Sequence, residues 1–195
     1  MQAQVNQVFV NEFLASNSIS IADEYGEYDD WIELYNANDF PVNIGGWRVT
    51  DDPTFLTSWE IPNDVPMMTT IPANGFMVLW ADNDTLPSQG PLHLGLKLSA
   101  AGEYIALIDP NDTVIDELSF GPQTNDISFG RYTDGSANFE LFETLTPGAA
   151  NVSNTNTTVT PINNLFINEF MAENTNSITD NMGEYEDWVE IYNAN

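Results

Sequence analysis

The chain has no cysteine, one histidine and only three basic residues, Arg48, Lys97 and Arg131, among 195. Without cysteine it has no disulfides, no thiolate metal sites and no cysteine nucleophile. His93 has no second histidine or cysteine with which to share a transition metal, and no nucleophile motif to complete a triad. Three bases against thirty acids give a formal net charge of −27, which repels nucleic-acid phosphates and anionic lipid heads. Nucleic acid is therefore not an expected partner. No apolar run reaches the roughly 18 residues of a membrane-spanning helix, so no membrane insertion is expected. The opening "MQAQVNQ" is too short and polar for a secretion signal. Its "AQ" before a polar start fits the scar of a removed one, and extracellular or cell-surface placement is the expectation.

What is present describes a globular protein. Apolar residues make up 42%, including 5 Trp, 7 Tyr and 11 Phe, which is unlike a disordered chain. The acid surplus has two readings: solubility, with self-repulsion screened by salt, or carboxylates gathered around divalent cations. Apolar residues recur with period two, not 3.6. "VFVNEFLA", "DWIELYN", "VNIGGWRVTD", "TSWEI", "GFMVLWA", "EYIALID", "TVIDELSF" and "ISFGRYT" read as short strands. Between them lie turn formers such as "IPND", "IPANG", "DPND" and "TDGS". About 8–10 short strands with no helical stretch predict an all-β sandwich or barrel. Gly45–Gly46 before Trp47 suggests a bulge or close packing.

The sequence also repeats. Shifted by 157 residues, 8–38 aligns without a gap on 165–195, and 19 of 31 positions are identical. A match of that length is an internal repeat. It predicts a first domain over 7–151, an Asn/Thr-rich linker over 152–164, and the opening of a second copy over 165–195. The remainder of that copy would fall outside this chain. Strands lacking the sheet that should cover them leave unpaired edges, so self-association through 165–195 is expected if it docks at all.

The runs "VNEFLASN", "DWIELYN", "VNIGGWRVTDD", "IPANGFMVLWAD", "LHLGLKLSAAGEYIALID", "ISFGRYTDGS" and "LTPGAAN" together resemble the lamin-tail domain in its bacterial, extracellular form. The resemblance implies an immunoglobulin-like β-sandwich. It also implies a non-catalytic module of a larger secreted or surface protein, serving attachment, spacing or partner binding. Partners would be other domains of the same parent protein and extracellular protein or glycan. The rival expectation is a carbohydrate-binding module or an accessory domain of a secreted hydrolase.

The densest local chemistry lies before the second strand, where Asp23, Glu24, Glu27, Asp29 and Asp30 surround Gly26. Hard cations want six to eight oxygens, and such a loop can supply several. The spacing does not fit a helix–loop–helix calcium loop. Asp23, Glu27, Asp29 and Asp30 keep acidic counterparts in the repeat, whereas Glu24 becomes Asn181, so these four are the expected calcium ligands. The alternative is a solvated acidic hairpin loop. No other cofactor is expected.

Glu12 and Glu33, with Asn11, recur in the repeat as well. They are either a carboxylate pair for glycoside hydrolysis or structural acceptors at strand ends. Each of the three bases is either an anion site or a structural ion pair, with Arg131 in "FGRYTDG" the best candidate for pairing. Trp31, Trp47, Trp59 and Trp80 are expected in the core, with sugar stacking as the alternative. Alternation sets Trp31, Glu33 and Tyr35 opposite Ile32 and Leu34, with one of these faces less buried.

Overall fold

The computed structural model describes residues 7–54, 59–84, 91–153 and 165–193. The chain divides into two compact units, Met1–Asn154 and Thr155–Asn195. Of the expected linker, residues 154–164 lie outside the described residues.

Unit one contains β1 (Val8–Leu14), β2 (Asp30–Asn36), β3 (Val42–Asn43), β4 (Arg48–Thr50) and β5 (Trp59–Glu60). One helical turn, α1 (Pro66–Thr69), precedes β6 (Thr70–Ile71), β7 (Phe76–Ala81) and β8 (Leu92–Leu94). Then come β9 (Glu103–Ile108), β10 (Val114–Phe120), β11 (Ser128–Arg131) and β12 (Phe139–Phe142). A six-stranded sheet, β12-β11-β1-β2-β7-β8, faces a four-stranded one, β10-β9-β4-β5. Pairing is antiparallel except between β7 and β8. The fold is the expected all-β sandwich.

Alternation explains the core. Val8, Val10, Ile32, Leu34 and Leu79 of the larger sheet meet Val49, Ile105 and Leu107 of the smaller one, with Ile44, Trp47 and Ile61 filling the end. Strict period two in β1 would next turn Glu12 inward. Instead the register shifts between Val10 and Glu12, and this bulge at Asn11 resets the parity. Phe13 then enters the core beside Phe120, ring centroids 4.4 Å apart, and Glu12 faces outward. At the Gly45–Gly46 pair the chain turns between β3 and β4. Gly46 sits at φ +81°, and a Cβ on Gly45 would lie 3.1 Å from the Pro62 carbonyl oxygen.

The expectation that one face of β2 is less buried does not hold. Trp31 and Glu33 are as inaccessible as Ile32 and Leu34. Leu14, Trp31 and Trp80 form a second apolar cluster on the outer face, packed by Ile21, Val78 and Leu145. Ile21 of the loop before β2 and Leu145 of the segment after β12 supply this cover, the latter segment acting as a strap across the outer face. Trp31, Trp47 and Trp80 are buried and Trp59 packs partly against the core.

Unit two contains β13 (Leu165–Met171) paired with β14 (Trp188–Asn193). The hairpin repeats the register of β1–β2, including the shift between Ile167 and Glu169. Covering differs completely. Val10, Phe13, Ile32 and Leu34 are at most 1% exposed, whereas their counterparts Ile167, Phe170, Val189 and Ile191 are 60–72% exposed.

Candidate functional site: the acidic end of the sandwich

Asp23 builds the acidic loop. Its Oδ1 accepts hydrogen bonds from the backbone N–H groups of Tyr25 (2.9 Å) and Glu27 (2.8 Å). Asp23 N donates to the Glu27 carbonyl at 2.9 Å and Gly26 N to the Asp23 carbonyl at 3.2 Å, with Gly26 at φ +84°. An aspartate and a glycine at these places are what such a turn needs. Asp180, Met182, Gly183 and Glu184 repeat the arrangement bond for bond. The recurrence of Asp23 therefore has a structural cause.

Asp30 has another. Its Oδ1 accepts from Asn17 N at 3.2 Å, while Asn17 Nδ2 donates to the carbonyls of Ile21 and Asp29. Asp187 and Asn174 do the same in the repeat. Burial raises the Asp30 pKa to about 6, against the Asn17 hydrogen bond and with the help of Asp29. Of the four expected calcium ligands, the structure brings together Asp23, Glu27 and Asp29, which offer oxygens within 4.8 Å of one another. Asp30 stands outside this group, as the clasp of the loop.

These three line an open cleft of about 390 Å³ with Tyr25 and with Asp82, Asn83, Asp84 and Lys97 from beyond β7 and β8. The Asp29 pKa is raised by burial first, then by the charges of Asp82, Asp23 and Glu27, against the pull of Lys97. Asp23 Oδ2 is sealed from solvent with no hydrogen-bond donor, unlike its partnered Oδ1.

Glu24, outside the four expected ligands, meets His93 instead. Its Oε1 lies 3.2 Å from His93 Nε2, and on the other side of the ring Asp82 Oδ2 contacts Nδ1. The His93 side chain is 2% exposed. Burial works against protonating it, but the hydrogen bonds and charges of Asp82 and Glu24 outweigh burial and raise its pKa. Asp23, Glu24 and His93 form a second group of ligand atoms within 4.8 Å of one another. Sequence reasoning missed this cluster because His93 reaches it through the parallel return of β8 beside β7, which leaves no local spacing signal. The run "WADND" after a strand was the one available cue to the acids on the far wall.

Glu12 and Glu33 face each other across β1 and β2, but both are fully buried. Glu12 is held by Ser128 Oγ, and by Thr146 Oγ1 at 2.9 Å. Glu33 accepts from Asn11 Nδ2 at 3.1 Å and from Gly148 N at 2.6 Å. Asn151 and Asp134 complete the network: Asn151 N donates to Asp134 Oδ1, which also accepts from Asn11 Nδ2 at 3.0 Å. Burial raises the pKa of both glutamates, that of Glu33 to about 8, against the hydrogen bonds each accepts. These carboxylates are fully buried and fasten the strap.

Arg131 is the buried ion pair its context suggested. Nη2 donates to both Asp116 oxygens at 2.9 Å and Nε to the Val10 carbonyl at 2.9 Å. Phe139 lies 4.5 Å from the guanidinium carbon. Arg48 pairs with the exposed Asp112, and Lys97 lines the acidic cleft.

A two-sheet sandwich with one group of acids around a cleft and its central carboxylates used internally defines a β-sandwich module. Compared with known families, residues 1–122 match the Lamin Tail Domain, and the chain belongs to that family. The match takes in β1 to β10, and does not extend to 165–195. No curated protein matches the chain.

Proposed function

We propose that the chain serves as a non-catalytic module of a larger secreted or cell-surface protein, in attachment, spacing or partner binding, with a calcium ion at its acidic end. The observation that carries the calcium reading is the sealed, unpartnered Asp23 Oδ2 beside the oxygens of Glu27 and Asp29. Two ligands on opposite sides of Ca²⁺ lie roughly 4.6–5.2 Å apart, and the three oxygens all lie within 4.8 Å of one another, close enough to share one ion. Asp82 and Asp84 across the cleft add negative field. The ion would join the loop before β2 to the loop after β7, stiffening that end of the module.

The non-catalytic reading is supported by the interior use of Glu12 and Glu33, which leaves no exposed carboxylate pair between them. The rival carbohydrate-binding reading wants a groove lined by exposed Trp and Tyr; Trp31, Trp47 and Trp80 are buried, and the acidic cleft carries Tyr25 with no tryptophan beside it. Secretion rests on the resemblance to extracellular forms of the family. The shared register, bulge and turn support 165–195 as the opening of a second copy, whose bare apolar face would be the edge for self-association.

Calorimetric titration of the intact chain tests the calcium reading. Ca²⁺ should bind with at least tenfold preference over Mg²⁺, and Asp29→Asn and Glu27→Gln should each weaken it about tenfold, while Glu24→Gln leaves it within twofold. Equal heats with Mg²⁺, or indifference to Asp29→Asn, contradict it.

A further inference from the structure

We propose that His93, Glu24 and Asp23 form a binding site for a first-row transition-metal ion of the zinc type, where β8 meets the loop before β2. It shares Asp23 with the calcium loop but does not depend on the calcium reading, since Glu27 and Asp29 take no part.

Three observations carry it. First, the imidazole is fixed in the orientation a ligand needs. Asp82 Oδ2 holds Nδ1 on one side, leaving Nε2 directed at Glu24. A carboxylate behind a histidine is the usual support of a metal-bound imidazole, setting its tautomer and aim. Second, the spacing suits a small ion. Two ligands about 2.0–2.1 Å from a tetrahedral zinc lie roughly 3.3 Å apart, and His93 Nε2 and Glu24 Oε1 are 3.2 Å apart. An oxygen of Asp23 lies within 4.8 Å of both and would close to about 3.3 Å on the ion. Third, Asp23 Oδ2 is buried without a donor, while Oδ1 is occupied by the N–H groups of Tyr25 and Glu27. A desolvated carboxylate oxygen with no partner is costly unless a cation meets it.

The donor set decides the class of metal. One imidazole nitrogen and two carboxylates suit borderline ions such as Zn²⁺, Co²⁺ or Mn²⁺ better than Ca²⁺, which favours oxygen alone. Three protein ligands leave a position open for water or for a group from a partner. The second hairpin cannot reproduce the site, because Asn181 stands where Glu24 does.

The test is titration of the full chain with Co²⁺, followed by its visible d–d absorption, and displacement by Zn²⁺. Expected is one equivalent of Co²⁺ giving a visible band of low-symmetry type, abolished by His93→Gln and weakened at least tenfold by Glu24→Gln. Asp82→Asn, removing the positioning carboxylate, should weaken binding while leaving the band. Asp29→Asn should leave Co²⁺ binding unchanged while reducing the Ca²⁺ response, so the two readings fail separately. Glu24 is exposed, so Glu24→Gln remains informative if the buried His93 variant does not fold. No saturable Co²⁺ or Zn²⁺ binding, or binding indifferent to Glu24→Gln, overturns the proposal.

Discussion

At the scale of single residues, the acids of this chain divide by what their oxygens meet. Asp23 Oδ1 and Asp30 are tied to backbone N–H groups, and Glu12 and Glu33 to the strap. Sequence reasoning rightly found the acidic loop, but it took recurrence in the repeat as a sign of a cation. Two of the four recurring acids recur for a structural reason, because the turn and its clasp need an aspartate in each hairpin. Glu33 gives the sharpest residue-scale consequence. Its pKa is raised from an unfolded value near 4.5 to about 8. The folded chain therefore keeps a proton that the unfolded chain releases, and stability falls as pH rises from about 4.5 to about 8. Chemical denaturation across that range should show the decline, and Glu33→Gln should flatten it whatever its effect on absolute stability. An unchanged slope in the variant would mean that Glu33 is ionised in the fold.

At the scale of elements, period two made most strands legible: β1, β2, β7, β9, β10 and β11 fall where the alternation put them. β3, β4 and β5 lie within the runs "VNIGGWRVTD" and "TSWEI", whereas β6 and β8 are two or three residues long, too short for any period to show. β12 lay beyond the last alternating run that was recognised. The outer face was illegible for a different reason. Beside Ile21, its cover comes from a strap more than 100 residues away in sequence, fixed to Glu12 and Glu33 by side-chain hydrogen bonds that no local pattern announces. Thr146 is the strap's main rivet, donating to Glu12 and contacting Asn151 Oδ1. Thr146→Ala should lower unfolding stability by about 1–3 kcal/mol, because it leaves buried acceptors unmet. It should also speed proteolysis between 144 and 153. A variant as stable and as resistant as the parent would show that the strap is held by apolar contact alone.

At the scale of the whole molecule, the chain presents one covered hairpin and one bare one of nearly the same sequence. In unit one the β1–β2 hairpin lies between β11 and β7, with the smaller sheet over its face. In unit two the equivalent strands carry exposed Ile167, Phe170, Val189 and Ile191. A two-stranded hairpin alone is marginal in water. Amide exchange should therefore be fast throughout 165–193 at low micromolar concentration and slow in β1, β2 and β9. Protection in β13 and β14 that grows with protein concentration would reveal docking between copies. Uniform slow exchange at every concentration would contradict the account of a bare hairpin.

The acidic end is where the account is most exposed to a single experiment: thermal unfolding of the intact chain in chelator, in millimolar Ca²⁺, and in Mg²⁺ and Na⁺ of matched ionic strength. A native-state site at 100 times its Kd adds about 2.7 kcal/mol, which for a domain of this size is a shift of roughly 5–10 °C. A calcium site at the acidic end gives a rise of that order with Ca²⁺, a smaller one with Mg²⁺, and loss of the difference in Asp29→Asn. Identical midpoints in Ca²⁺ and in Na⁺ of the same ionic strength would contradict it, and would leave the acidic end as solvated surface.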